Sequence, residues 1–246
     1  MIRSIVILLC CLCSSPLLAA TTNVLVFNTV GQPPLNTLQQ SGFMDRVTRE
    51  ALRRIGYQLE TVALPAERGL TNVNAGIDDG EMSRIGGMEK RYPNLVPVPE
   101  KLMSWDFCVF TNSDVHVSGK WADLKPYSVA FINGWKILEE KVPPEAEIIT
   151  VKNPVQLFSL LEKRRTDIVI FERWGGLQLI QTRGYHDIHI VQPPLAVRDI
   201  FIYLNKKHAK LAPRLARAIA EMKHDGSYQK IYNETLAPLI RKSSQE

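Results

Sequence analysis

Asn74-Ala-Gly-Ile-Asp-Asp-Gly-Glu-Met-Ser-Arg84-Ile-Gly-Gly87 is echoed further along the chain by Leu161-Glu-Lys-Arg-Arg-Thr-Asp-Ile-Val-Ile-Phe-Glu-Arg173-Trp-Gly-Gly176. Each copy reads as a helical tail, a turn with an Asp, a short strand, then an Arg and paired glycines. Two α/β units built on one plan predict two lobes, each turning a strand end and helix N-termini toward the space between them.

Working outward from the first copy, Thr22 to Asn28 is apolar and β-branched, and Gly31-Gln-Pro-Pro34 breaks it into a loop. Phe43, Val47, Ala51 and Ile55 recur at helical spacing, and Gly56 stops that helix before a second strand at Tyr57 to Leu64. A helix over Ala66 to Asn74 and a strand within Ile77 to Ile85 complete βαβαβ, an alternation that covers both faces of one sheet and predicts a doubly wound α/β layer. Around the second copy the alternation recurs: strand Ser128 to Ile132, turn Asn133-Gly134, helix Trp135 to Lys141, strand Glu147 to Val151, helix Pro154 to Lys163 and strand Asp167 to Phe171. Trp105 to Thr111 reads as the strand leaving the first lobe, with the polar run Asn112 to Lys120 as the crossing. Asp199 to Leu204 then carries the chain back, and helices over Ala209 to Lys223 and Ser227 to Thr235 finish the first lobe. The expected division is a leader at 1–20, first lobe 21–111, second lobe 112–198 and return 199–246, with a two-strand hinge near residues 112 and 199.

Arg3, the apolar run Ile5 to Cys13, Pro16 and the small pair Ala19-Ala20 follow the plan of a secretory signal peptide. The run is too short to span a bilayer, so a soluble, periplasmic mature chain without stable membrane insertion is expected. Cys10, Cys11 and Cys13 fall in the leader. Cys108, within Trp105 to Phe110, has no disulfide partner and no metal-ligand spacing, and reads as a buried strand thiol. The formal charge of +5 is scattered or near the C-terminus, with no aromatic-interleaved basic patch, so no nucleic-acid surface is expected.

At this resolution the chain resembles the extracellular solute-binding proteins of polar amino-acid importers, with a type II periplasmic-binding fold of two α/β lobes. The resemblance rests on Phe43-Met-Asp-Arg-Val after Pro33-Pro34-Leu35, Asn74-Ala-Gly-Ile-Asp-Asp-Gly80, Asp123-Leu124 before the strand ending Asn133-Gly134, Leu160 to Asp167, Leu211 to Ile219 and Asp225 to Ile231. It implies a monomeric receptor that captures a small anionic or zwitterionic solute for an ABC permease, with no cofactor and no metal. It further implies that Arg91, twelve residues after Asp79, grips a carboxylate, which its planar fork suits. It places Glu172, five residues after Asp167, opposite the ligand's ammonium. Arg68 falls at a loop-to-helix start that faces the cleft in that family.

This chain departs from the pattern where Arg84-Ile-Gly-Gly87 replaces small residues and a hydroxyl. Arg84 either adds positive charge beside Arg91 and Arg68, favouring an acidic or larger solute, or pairs with Glu81 or Glu89 and locks the loop. Asn133 and Gly134 offer backbone amides at a helix start, and Trp135 there can stack on a flat ligand face or pack the helix. Trp174 reads as helix packing, Phe27 and Tyr203 as core, and the five histidines as surface. Two other uses of the fold stay open: a sensor module for a membrane signalling partner, and a secreted enzyme resembling cyclohexadienyl dehydratase with Glu81, Glu89 or Glu172 as acid or base. No nucleophile elbow, zinc helix or phosphate loop accompanies them, and the expectation is a binding protein rather than an enzyme.

Overall fold

The computed structural model describes residues 23–243, so the leader expectation lies outside the described residues. In the first lobe, β1 (Asn23–Thr29) pairs in parallel with β2 (Tyr57–Ala63) and β3 (Gly80–Ile85), joined by α1 (Phe43–Arg54) and α2 (Ala66–Ala75). The expected apolar stripe of α1 is buried, and Asp45 closes its N-terminus by accepting from the amides of Gly42 at 3.0 Å and Thr37 at 2.8 Å. Helix α2 ends where Gly76 takes the left-handed conformation (φ 78°), which turns the chain into β3.

The second lobe repeats the plan. β6 (Ser128–Ile132) pairs in parallel with β7 (Glu147–Val151) and β8 (Ile168–Glu172), with α3 (Lys136–Lys141) and α4 (Pro154–Glu162) between them. Asn153 caps α4, its side chain accepting from the Gln156 amide at 2.9 Å. The last strand of each echo, β3 and β8, thus lies parallel to the first strand of its own lobe.

Two long antiparallel strands tie the lobes together: β5 (Met103–Thr111) and β9 (His189–Asn205), with the short β4 (Leu95–Pro97) against β9. The sheet runs β2-β1-β3-β9-β5-β8-β6-β7. Both crossings lie within these strands, the one in β5 between Met103 and Phe107, ahead of residue 112, and the one in β9 between Leu195 and Ile200. Met103, Ile200 and Ile202 belong to the first core, whereas Phe107, Val109 and Leu195 belong to the second, and β5 pairs with β8 from Phe107 onward. An unbroken strand carries no composition change where it passes from one core to the next, so the polar loop after it was a misleading marker. Strand β9 begins at His189, ten residues before Asp199, and it too passes between the cores without a break.

The second pair of glycines also differs from the first. Gly87 sits in a turn with φ 94°, but Gly175 and Gly176 lie inside α5 (Arg173–Arg183). A Cβ on Gly176 would fall 2.1 Å from the Phe110 ring, so these glycines let α5 lie directly on the sheet. The close approach brings Trp174 and Leu177 into the first core, where Trp174 meets Tyr232 edge-on at 5.7 Å. The chain closes with α6 (Ala212–His224), α7 (Ser227–Thr235) and α8 (Ala237–Ser243), and α8 packs against α5. Cys108 is fully buried, and burial pushes its thiol up to about 12, which keeps it a neutral packing group.

Candidate functional site

Two cavities of about 500 Å³ each open between the lobes. The first is walled by the start of α2 (Ala66, Glu67, Leu70), the end of β3 (Ser83, Arg84, Ile85), Arg91 and Tyr92, Trp105 and Phe107 on β5, the turn Gly134 to Ile137, and Arg198 on β9. Parallel strands put their carboxyl ends at this opening, which is why residues from β3 and the β6–α3 turn converge there.

Four cations face this cavity. Arg91 is exposed, with its Nη2 3.2 Å from Glu67 Oε1 and its guanidinium 5.5 Å above the Tyr92 ring. The Tyr92 hydroxyl donates to the same Glu67 oxygen at 2.5 Å. Lys136 pairs with Glu139 at 2.6 Å. Arg198 has no carboxylate partner among the described residues and donates to its neighbour's carbonyl, Val197 O, at 2.8 Å. Glu67 is the one carboxylate among the lining residues, so the wall carries net positive charge.

Arg84 both pairs internally and faces the cavity. Its Nη2 donates to Ala66 O at 2.8 Å and lies 3.0 Å from Glu81 Oε1. That second contact is ionic but poorly angled, and neither Glu81 oxygen accepts a hydrogen bond. Burial therefore dominates and pushes the Glu81 carboxyl up to about 7, with Arg84 pulling the other way and Asp78 adding to the rise. Of the two readings of Arg84, the pairing is with Glu81, while Glu89 instead accepts from the Tyr203 hydroxyl at 3.1 Å. Pairing leaves Arg84 Nε buried without a partner, and Ser83 Oγ beside it on β3 and Trp105 Nε1 on β5, both in residues that line the same cavity, are in the same condition. A buried donor without an acceptor costs about 1–3 kcal/mol, so these three sites weaken the packing of the residues that line the cavity.

The sequence-derived site residues divide. Arg84, Arg91, Gly134 and Trp135 line the cavity together; Arg68, Asn133 and Glu172 line neither cavity. Arg68 is exposed on α2, next to Glu67 in sequence but turned about 100° around the helix from it. The amides expected to meet a ligand already have acceptors: Asn133 N donates to Val151 O at 2.9 Å and Gly134 N to Glu139 Oε1 at 2.7 Å. Glu172 is fully buried, accepting from the amides of Trp174 and Gly175 at 2.9 Å each. The residue after a strand is here also the residue before a helix, and its carboxylate serves as the α5 cap. Burial pushes its carboxyl up to about 7, partly offset by those two amides.

Sequence reasoning missed Arg198, Ser83, Trp105, Lys136 and Gln32. Arg198 approaches from β9, more than a hundred residues after Arg84, and no local pattern signals that. Ser83 sits beside Arg84 on β3, where strand alternation would send the two to opposite faces, and the register shift between Glu81 and Arg84 that breaks the alternation leaves no mark in the sequence. The carboxylates weighed for acid or base chemistry, Glu81, Glu89 and Glu172, line neither cavity. Among the described residues no group of His, Cys, Asp and Glu is arranged to hold a metal ion, and no helix is long and apolar enough to cross a membrane.

Solved structures share this architecture. A histidine kinase sensor domain with similarity to periplasmic binding proteins superposes with a TM-score of 0.72 at 18% identity, covering 88% of this chain and 96% of that one. The GluR0 ligand-binding core in complex with L-glutamate superposes with a TM-score of 0.75 at 15% identity, over 88% of this chain and 99% of that one. An ancestral amino-acid-binding protein, a precursor of cyclohexadienyl dehydratase, gives 0.69 at 17% identity over 87% and 95%. A protein of Shewanella oneidensis strain MR-1, described as uncharacterized, is 26% identical over 195 residues, 76% of this chain and 73% of its own. No family model matches. The chain has the periplasmic-binding-protein-like fold, two α/β lobes about an inter-lobe cleft.

Proposed function

We propose that this chain is a periplasmic solute receptor that captures a small anionic solute between its lobes. The observation that carries the reading is the cationic lining of the cavity, where Arg84, Arg91, Lys136 and Arg198 stand with a single carboxylate, Glu67. Guanidinium donors match carboxylate geometry, and a desolvated cavity makes each such contact stronger than it would be in water. Glu172 is spent on its own helix, and Glu67, the one lining carboxylate, already meets Arg91 and Tyr92 through Oε1, so four cations against one carboxylate favour an anion over a zwitterion. Arg84 lines the cavity beside these cations, and Trp135 supplies an aromatic wall.

In this reading the receptor works as a monomer, closes by bending at the middle of β5 and β9, and hands its solute to the permease of an ABC importer. The sensor neighbour keeps a second partner in view, a membrane kinase, and loss of solute uptake on deletion separates the two. Arg91→Ala and Arg198→Ala test the site directly. Each side chain is exposed, so the fold should survive, and affinity for an anionic probe found by thermal-shift screening of mono- and dicarboxylates should fall about tenfold per substitution. Affinity unchanged in both variants would reject the site.

A further inference from the structure

The second cavity adjoins the first and differs from it in chemistry. Its walls are chiefly Val30, Ile132, Pro154, Val155, Phe171 and Leu179, with Arg183 exposed at the edge and no carboxylate among the lining residues. Val30, Gln32 and Trp135 line both cavities, so these three residues form the boundary between a cationic compartment and an apolar one. Trp135 is fixed there: its ring stacks on Phe171 with centroids 5.1 Å apart and 17° between planes, and Phe107 meets it edge-on at 5.8 Å. Gln32 Nε2 is buried without an acceptor and packs against α5, 3.0 Å from where a Cβ on Gly175 would sit.

We propose that the apolar cavity takes a ring-sized hydrophobic body of the solute, so that the guest is an aryl or comparably bulky carboxylate lying across Trp135, with an acceptor atom near Gln32. This deepens the reading of the cationic cavity and rests on it. A small hydrophilic anion would fill one compartment and leave the other's apolar walls in contact with water, whereas a solute with both parts buries a ring against Val155, Phe171 and Leu179 while its carboxylate meets Arg84 and Arg91. A ring that loses on the order of 100 Å² of apolar surface to such walls gains a factor of ten or more in affinity even after half is lost to ordering.

Calorimetric titration of the mature chain with propionate, 3-phenylpropionate and 3-phenylpropanol tests this. The expected result is 3-phenylpropionate binding at least tenfold more tightly than propionate, with the gain abolished by Leu179→Glu and propionate affinity left as it was. Val155→Glu, at a side chain 41% exposed near the start of α4, repeats the test at a position that tolerates charge if Leu179→Glu does not fold. Equal affinity for the two acids, or a gain that survives both variants, overturns the apolar compartment and leaves the anion reading intact. Binding of 3-phenylpropanol as tight as that of the acid overturns the anion reading instead, and no binding of any of the three at millimolar concentration overturns both.

Discussion

Glu81→Gln should remove much of the pH dependence of this protein's stability. The Glu81 side chain has no exposed surface, lies 3.0 Å from Arg84 Nη2, and offers two oxygens that accept no hydrogen bond. Burial raises its carboxyl from 4.5 to about 7 in the folded chain. The unfolded chain holds it near the ordinary value, so between those two pH values the folded protein binds the extra proton. A raised acid of this kind contributes stability fully below pH 4.5, and that stability is lost as the pH climbs toward 7. Over the interval the loss amounts to about 3 kcal/mol at most, reduced when Arg84 reorients to offset the charge. Urea unfolding followed by tryptophan fluorescence, in wild type and variant from pH 4.5 to 8, reads it directly. The stability of wild type minus that of the variant should fall by about 2–3 kcal/mol as the pH rises, while the similarly raised Glu172, present in both proteins, cancels. A difference constant to within about half a kcal/mol would show Glu81 ionised throughout and refute the reasoning.

Three further outcomes follow from the same geometry. Glu172→Ala should cost about 3 kcal/mol in urea unfolding, since it strips the α5 cap and orphans two buried amides, yet leave the affinity for a carboxylate probe within twofold; a large affinity loss at full stability would return Glu172 to the ligand. Gly176→Ala should destabilise by at least 3 kcal/mol or prevent folding, measured as soluble yield and melting temperature, because the new Cβ meets the Phe110 ring at 2.1 Å. Affinity for anionic probes should drop steeply between low and high salt in wild type and less so in Arg198→Ala, because the exposed Arg198 guanidinium has no carboxylate partner among the described residues to screen it.

Most of the architecture could be read from the residues in order. Phe43, Val47 and Ala51 marked α1, and the short apolar runs marked β1, β6 and β8, because each element must present one periodic face to a core. The echo marks a strand of each lobe but does not distinguish its two pairs of glycines, since only the Phe110 ring beneath α5 shows why Gly176 must lack a side chain. Glu172 was misjudged for a related reason, since a carboxylate at a strand end suits a ligand ammonium or two helix amides equally well, and only the presence of α5 chooses.

The alternation of strand and helix, the two units of one plan and the arginines near a strand end were settled by local pattern, because hydrophobic period and turn chemistry act between residues close in the chain. Which donors stand together was settled by tertiary structure alone. Arg198 joins Arg84 and Trp105 joins Ser83 through pairing of β9 with β3 and with β5, and those contacts between distant segments leave no trace in the spacing of either one.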